Sequence, residues 1–72
     1  MKRNHQTVTQ ALANNLATLR AAKKLSQEEL GHMADVDRTY VSQIERGLGN
    51  PSINVLVRLA TVLEVDLVDL LK

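Results

Sequence analysis

Apolar residues recur at helical spacing through the first third of the chain. Val8, Leu12, Leu16 and Leu19 are separated by four, four and three positions, the repeat that places side chains on one face of an α-helix. The alanines between them add helix propensity. This pattern predicts a first helix over residues 7–24.

A second helix is indicated by its start signal. Ser26 and Glu29 have the S-x-x-E spacing of a capping box, in which each side chain bonds the backbone N–H of the other residue. The apolar positions that follow include Met33, which we expect in the core. The second helix is therefore predicted over 27–34.

A sharp turn separates this helix from the next. Asp35 stands at the turn, and Asp tolerates the left-handed backbone conformation better than most non-glycine residues. Val36 is then expected to point inward. Asp37 can cap a third helix over 38–46, and nearby glycines mark the end of that helix.

Two further helices complete the pattern. Residues 50–52, Asn-Pro-Ser, read as a loop that leads into an apolar run of helical spacing. The core residues expected from that run are Ile53, Leu56, Leu59, Ala60 and Leu63. Asp66 caps a last short helix over 67–71. The sequence thus predicts an all-α, five-helix domain spanning residues 1–72.

Length and composition exclude several classes of protein. The chain has 72 residues and no cysteine, which excludes a disulfide framework and a two-domain enzyme. Two histidines without a thiolate do not indicate a metal site, and no cofactor is expected. Because no apolar run approaches the ~20 residues of a membrane span, we expect a cytoplasmic protein without a membrane partner.

Charge is unevenly distributed, although the net charge is only +1. Residues 1–24 carry five basic residues and no acid, whereas residues 25–72 carry four basic and eight acidic residues. Ordinary surface variation produces such differences as well. The basic side therefore gives support, and no more, to an anionic partner.

The motif of residues 25–52 resembles a known family. It reads LSQEEL at 25–30, Val36, RTYVSQIERG at 38–47 and NPS at 50–52. This arrangement resembles the Cro and phage-repressor type (XRE-like) helix-turn-helix family, over about residues 12–71. Within that family it looks most like the controller proteins of restriction-modification systems.

The resemblance implies a lambda-repressor-like DNA-binding domain with a central helix-turn-helix at about 27–46, whose partner is double-stranded DNA. The sequence departs from the family pattern at two positions. Asp35 stands where the family usually has Gly at the turn, and Gly31 stands where it usually has Ala in the second helix. Gly31 still permits the close approach of two helices, at a helix-propensity cost of about 1 kcal/mol.

The polar face of the third helix has the chemistry of base recognition. The major groove admits an α-helix, in which Arg can bond guanine, Gln can bond adenine and the Thr methyl can touch thymine. With Val41 and Ile44 facing inward, the outward and flanking polar residues are expected to read bases. These residues are Arg38, Thr39, Ser42 and Gln43.

The resemblance also implies two further sets of roles. It places Gln27, Tyr40, Arg46 and Asn50 against the DNA backbone, where contacts fix register without reading sequence. It brings Arg20 and Glu45 together as a partly buried ion pair between the first and third helices.

A dimerisation region is expected at about 53–71. A chain of this size cannot bury all the apolar residues of its last two helices, so part of that surface should pair across a two-fold axis. The residues assigned to this interface are Val55, Val62, Leu67, Val68 and Leu71. Because no residue follows Lys72, we also expect no ligand-sensing domain and no small-molecule ligand.

These features predict a transcriptional regulator that binds an inverted-repeat operator as a homodimer. The alternative is an antitoxin that neutralises a protein toxin and uses the same fold for autoregulation. Only about seven residues precede the predicted first helix, which argues against a toxin-binding segment there. His32 and Asp35 are three positions apart, but without a third ligand or a nucleophile they do not suggest an enzyme.

Overall fold

The computed structural model describes residues 2–72. They contain the helices α1 (His5–Ala22), α2 (Gln27–Ala34), α3 (Arg38–Glu45), α4 (Ile53–Leu63) and α5 (Leu67–Leu71), and no strand. This confirms the predicted all-α, five-helix architecture. The bounds of α2 agree with the prediction, and α3 ends one residue earlier because Arg46 is its C-cap.

The first helix begins and ends about two residues earlier than predicted. Asn4 caps its start: the Asn4 side chain accepts a hydrogen bond from the backbone N–H of Thr7 at 2.9 Å, and the Thr7 hydroxyl accepts one from the N–H of Asn4 at 3.0 Å. Polar residues in this reciprocal arrangement start a helix without an apolar signal. The helix ends at Ala22, and Lys24 lies beyond it with a φ of 59°.

The helices enclose one apolar core. α3 packs against α1 and α2, α4 packs against α2 and α5, and α5 packs against α1. The most deeply buried large side chains come from all five helices; they are Leu16, Leu30, Val41, Ile44, Leu59 and Leu70. The helix-turn-helix is thus held on a scaffold made by α1, α4 and α5.

Three apolar residues lie elsewhere than the sequence predicted. Met33 and Ile53 were expected in the core but are 59% and 63% exposed. Val55 was expected at a dimer surface but is only 8% exposed and belongs to the core. The α4 segment has apolar residues on almost every side, so spacing alone does not determine which side faces inward. Met33 of α2 borders a groove that is also lined by Val62 of α4.

The last helix is joined to the first by a side chain that the sequence did not single out. The amide nitrogen of Asn15 donates hydrogen bonds to the backbone oxygens of Leu70 and Lys72, at 3.0 and 2.9 Å. Carbonyl groups at the end of a helix have no partner within it. Asn15 therefore satisfies the end of α5 and fixes it against α1.

None of the helices within residues 2–72 has the length and apolar character that crossing a membrane requires.

Candidate nucleic-acid interface

The turn between α2 and α3 is tight. Asp35 adopts the left-handed conformation, with φ 56° and ψ 48°, as its position in the sequence predicted. The next residue, Val36, is buried and donates its N–H to the carbonyl oxygen of Gly31 at 2.8 Å. A Cβ on residue 31 would overlap the carbonyl oxygen of Val36. Glycine at this position therefore allows the turn to lie directly on α2.

A second contact braces this turn from α4. The guanidinium Nη1 of Arg58 donates to the carbonyl oxygen of Asp35 at 3.2 Å and lies 3.8 Å from the Asp35 carboxylate. A cation at the C-terminal end of a helix is favoured by the helix dipole. Arg58 was not predicted from the sequence, because nothing local to its segment indicates that α4 crosses the end of α2.

The orientation of α3 is set by its cap and its buried side. Asp37 accepts a hydrogen bond from the N–H of Thr39 at 2.8 Å, which starts the helix as predicted. Val41 and Ile44 are 0% and 1% exposed. Successive residues of a helix are about 100° apart, so the side opposite these two residues faces solvent.

The four predicted base-reading residues lie together around this solvent side. Thr39, Ser42 and Gln43 lie opposite the buried residues, and Arg38 lies at one flank. Arg38, Thr39 and Gln43 are exposed, and Ser42 is half-buried. Within residues 2–72, none of these four side chains is engaged in a hydrogen bond or an ion pair with another residue. Their polar groups are therefore available to a ligand.

The residues expected against the DNA backbone come from three segments around this face. Gln27 begins α2, Arg46 follows the last residue of α3, and Asn50 lies in the loop before α4. Arg46 and Asn50 are exposed, whereas Gln27 and Tyr40 are half-buried. The residues predicted to contact the DNA backbone therefore come from the start of α2, from α3 and its end, and from the loop before α4.

Arg20 and Glu45 form the predicted ion pair. Arg20 Nε lies 2.7 Å from Glu45 Oε2 and Arg20 Nη2 lies 3.0 Å from Glu45 Oε1, a bidentate geometry that joins α1 to α3. Arg20 Nη1 donates to the carbonyl oxygen of Leu25 at 2.8 Å. The hydrogen bonds that Arg20 donates to Glu45 raise the pKa of Arg20, against the opposing effect of burial.

Gln27 also contacts this ion pair, although the contact was not predicted from the sequence. The amide nitrogen of Gln27 donates to Glu45 Oε1 at 3.1 Å. Gln27 was expected near DNA and Glu45 in a structural pair, and they are 18 residues apart. Only the packing of α2 against α3 brings them together.

No metal site accompanies these groups. Among residues 2–72, no three His, Cys, Asp or Glu side chains are grouped so as to hold a metal ion. His32 and Asp35 are both exposed on the helix-turn-helix.

The expected dimer surface is only partly exposed. Val68 is 55% exposed, whereas Val62, Leu67 and Leu71 are half-buried against the core. On α4 the exposed apolar side chains are Ile53 and Val57, at 63% and 44%. These two residues are one helical turn apart and share one side of α4.

Known proteins share both this sequence pattern and this fold. The sequence profile of the helix-turn-helix family HTH_3 matches residues 16–70. The chain belongs to the HTH_3 helix-turn-helix family. This confirms the family indicated by the motif of residues 25–52.

The relatives of this HTH_3 chain include controller proteins of restriction-modification systems. The chain is 33% identical over 64 residues to control protein C.SmaI of Serratia marcescens. The matched segment is 89% of this chain and 76% of that protein. The crystal structure of the restriction-modification controller protein C.AhdI from Aeromonas hydrophila superposes with a TM-score of 0.83 at 39% identity. It covers 86% of this chain and 94% of that one.

Other relatives of the HTH_3 chain are longer regulators. A hypothetical transcription factor of Neisseria meningitidis is 37% identical over 68 residues, covering 94% of this chain. The chain spans 64% of the length of that protein and 31% of a longer transcriptional regulator of Sinorhizobium fredii.

Proposed function

We propose that this HTH_3 protein is a transcriptional regulator that binds an inverted-repeat DNA operator as a homodimer. The observation that carries the proposal is the solvent side of α3. It presents Thr39, Ser42 and Gln43 opposite the buried Val41 and Ile44, with Arg38 at one flank. A helix of this width fits the major groove of B-form DNA. The controller proteins among its relatives support the same role.

In this proposal the four residues of α3 read base edges. Arg38, at the first position of the helix, bonds the O6 and N7 atoms of guanine, and Gln43 bonds adenine. Ser42 donates or accepts, and the methyl group of Thr39 contacts thymine. Residues near the N-terminus of a recognition helix are the ones that reach bases when the helix enters the groove.

The phosphate contacts lie on both sides of this helix. Gln27 is the first residue of α2. Arg46 and Asn50 come after the last residue of α3. Tyr40, half-buried on a flank of α3, supplies a hydroxyl. Contacts of this kind position the helix and contribute sequence-independent affinity.

The second copy of the chain pairs through α4 and α5. The support for this is the exposed apolar surface of Ile53, Val57 and Val68, which the core leaves uncovered. Leu67 and Leu71 also lie on α5, where they are half-buried against the core. Val62 is nine positions from Ile53, which is half a turn around the helix, and it lines a groove with Met33 of α2 instead.

Selection from a pool of random duplexes tests the proposal. We expect enrichment of an inverted repeat whose half-sites are about one DNA turn, or roughly 34 Å, apart. The logarithm of the affinity for the selected duplex should then fall linearly with the logarithm of salt concentration, because the phosphate contact of Arg46 in each copy displaces counterions. Failure to enrich any sequence, together with binding that is insensitive to salt, would contradict DNA binding as the function. Since the proposed partner is DNA, the proposal also places the protein in the cytoplasm.

A further inference from the structure

The carboxylate of Glu45 is a fixed acceptor shared by two side chains. Its Oε1 accepts from Arg20 Nη2 at 3.0 Å and from Gln27 Nε2 at 3.1 Å, while its Oε2 accepts from Arg20 Nε at 2.7 Å. The Glu45 side chain is only 7% exposed. The carboxylate is therefore held between α1, α2 and α3 and has little freedom of its own.

This arrangement orients the Gln27 carboxamide. Carboxylate oxygens only accept, so the amide nitrogen of Gln27, and not its oxygen, must face Glu45. The amide group is planar and its nitrogen carries two hydrogens, so fixing one N–H also fixes the direction of the other. Because Gln27 is half-buried and begins α2, part of this amide remains accessible at the edge of the helix-turn-helix.

Arg20 makes the arrangement compatible with DNA. A carboxylate close to a phosphate would repel it, but the bidentate contact with Arg20 neutralises the charge of Glu45. An ordered amide also loses less conformational freedom on binding than a mobile one. The ion pair thus supplies both a neutral environment and a rigid support for the donor at the start of α2.

We propose that Glu45 is a positioning residue for DNA binding, which presets the Gln27 carboxamide so that its second N–H donates to a DNA phosphate. The inference rests on the proposed function, because the phosphate is that of the operator. It gives the Arg20–Glu45 pair a role in addition to joining α1 to α3.

A double-mutant cycle on the selected duplex tests this inference. We expect Gln27→Met to weaken binding about a hundredfold, because each copy in the bound dimer loses one hydrogen bond to a charged group, which is worth about tenfold. The salt dependence should not change, because a neutral amide releases no counterion. The uncompensated charge of Arg20 in Glu45→Gln affects both backgrounds alike, so Glu45→Gln should weaken binding more in the otherwise unmodified chain than in the Gln27→Met background. The matched control is Gln6→Met, since Gln6 is an exposed glutamine on α1, and this variant should bind as the unmodified protein does.

Additive losses from Gln27→Met and Glu45→Gln, or no loss from Gln27→Met, would overturn the inference. If Glu45→Gln does not fold, NMR of the unmodified protein decides. One side-chain amide proton of Gln27 should exchange more slowly than those of Gln6, and the other should shift when the duplex is added. Equal exchange for both glutamines would also overturn it. If no duplex is bound at all, the proposed function itself fails, whereas additive losses in a protein that binds DNA overturn only the role of Glu45.

Discussion

The backbone of Gly31 lies directly against the carbonyl oxygen of Val36, and the N–H of Val36 donates to the Gly31 carbonyl at 2.8 Å. A Cβ at position 31 meets backbone, which cannot rotate away as a side chain can. We therefore expect Gly31→Ala to lower the free energy of unfolding by about 1–3 kcal/mol, the usual cost of overpacking. This loss should occur although alanine has the better helix propensity, by about 1 kcal/mol. Urea unfolding followed by circular dichroism measures it.

The adjacent residue on the same helix provides the control. His32 is exposed, so His32→Ala gains helix propensity without meeting the turn. Its stability should equal or exceed that of the unmodified protein. A stabilised Gly31→Ala variant would mean that the turn moves away from α2 at little cost.

Breaking the Arg20–Glu45 pair should be strongly destabilising. Arg20→Ala leaves the carboxylate of Glu45, which is 7% exposed, without its cation. Removing one partner of a buried ion pair typically costs about 3–5 kcal/mol, and because Arg20 is 20% exposed we expect the lower end of that range. The comparison is Lys23→Ala, which removes the exposed pair between Lys23 and Glu64 and should cost less than about 1 kcal/mol. Similar melting temperatures for the two variants would contradict this ranking.

The capping box of α2 should contribute to stability in a pH-dependent way. The Glu29 carboxylate accepts from the Ser26 N–H at 2.8 Å, and this backbone hydrogen bond, followed by the Ser26 side chain, lowers the pKa of Glu29. A lowered pKa means that this contribution is present above the pKa of the unfolded chain and is lost as pH falls through the lowered value. Stability should therefore fall more steeply with acid for the unmodified protein than for Glu29→Gln.

The comparison of the unmodified protein with Glu29→Gln isolates the charge of Glu29, because glutamine also completes a capping box. Glu28→Gln, which makes the same change in net charge one residue away, corrects for general charge effects. Thermal melts from neutral pH down to about pH 3 supply the comparison. Parallel curves for the unmodified protein and Glu29→Gln would show that the Ser26 contacts do not contribute.

Much of the fold follows from local chemistry that the sequence displays. The capping box of Ser26 and Glu29, the left-handed Asp35 and the cap at Asp37 each depend on a few neighbouring residues, and each was predicted correctly. On α4 the burial of Leu56, Leu59, Ala60 and Leu63 was predicted correctly. Ile53 and Val55 were misplaced, because they have similar hydrophobicity and only the position of the other helices distinguishes them.

In the candidate site, too, features within one helix were predicted, whereas two contacts between helices were not. The polar side of α3 follows from burial of Val41 and Ile44, so spacing along one helix was sufficient to find it. The contacts of Glu45 with Gln27 and of Arg58 with Asp35 join residues on different helices. Each bond depends on helix packing, for which a single sequence contains no direct signal.

Base reading and phosphate contact should be separable on α3. Arg38→Ala is expected to weaken binding to the selected duplex by about 1–3 kcal/mol and to relax the preference at one base pair in each half-site. Arg46→Ala should weaken binding to all sequences about equally and reduce the salt slope by about two, one for each copy in the bound dimer. Fluorescence anisotropy with the selected duplex and with single-base variants measures both. Equal, sequence-independent losses from the two variants would make Arg38 another phosphate contact.

Dimerisation is expected to be part of specificity, because each copy of α3 reads one half-site. Val57 and Val68 are 44% and 55% exposed on α4 and α5, and a carboxylate introduced at either position would be desolvated in a symmetric interface, where both copies carry it. Val57→Glu and Val68→Glu should therefore sediment as folded monomers and bind the inverted repeat much more weakly, with little change for a single half-site. Val62→Glu is the matched comparison, since Val62 lies on the other side of α4 beside Met33, and it should remain a dimer. A monomer from Val62→Glu with intact dimers from the other two variants would place the two-fold axis at the α2–α4 groove.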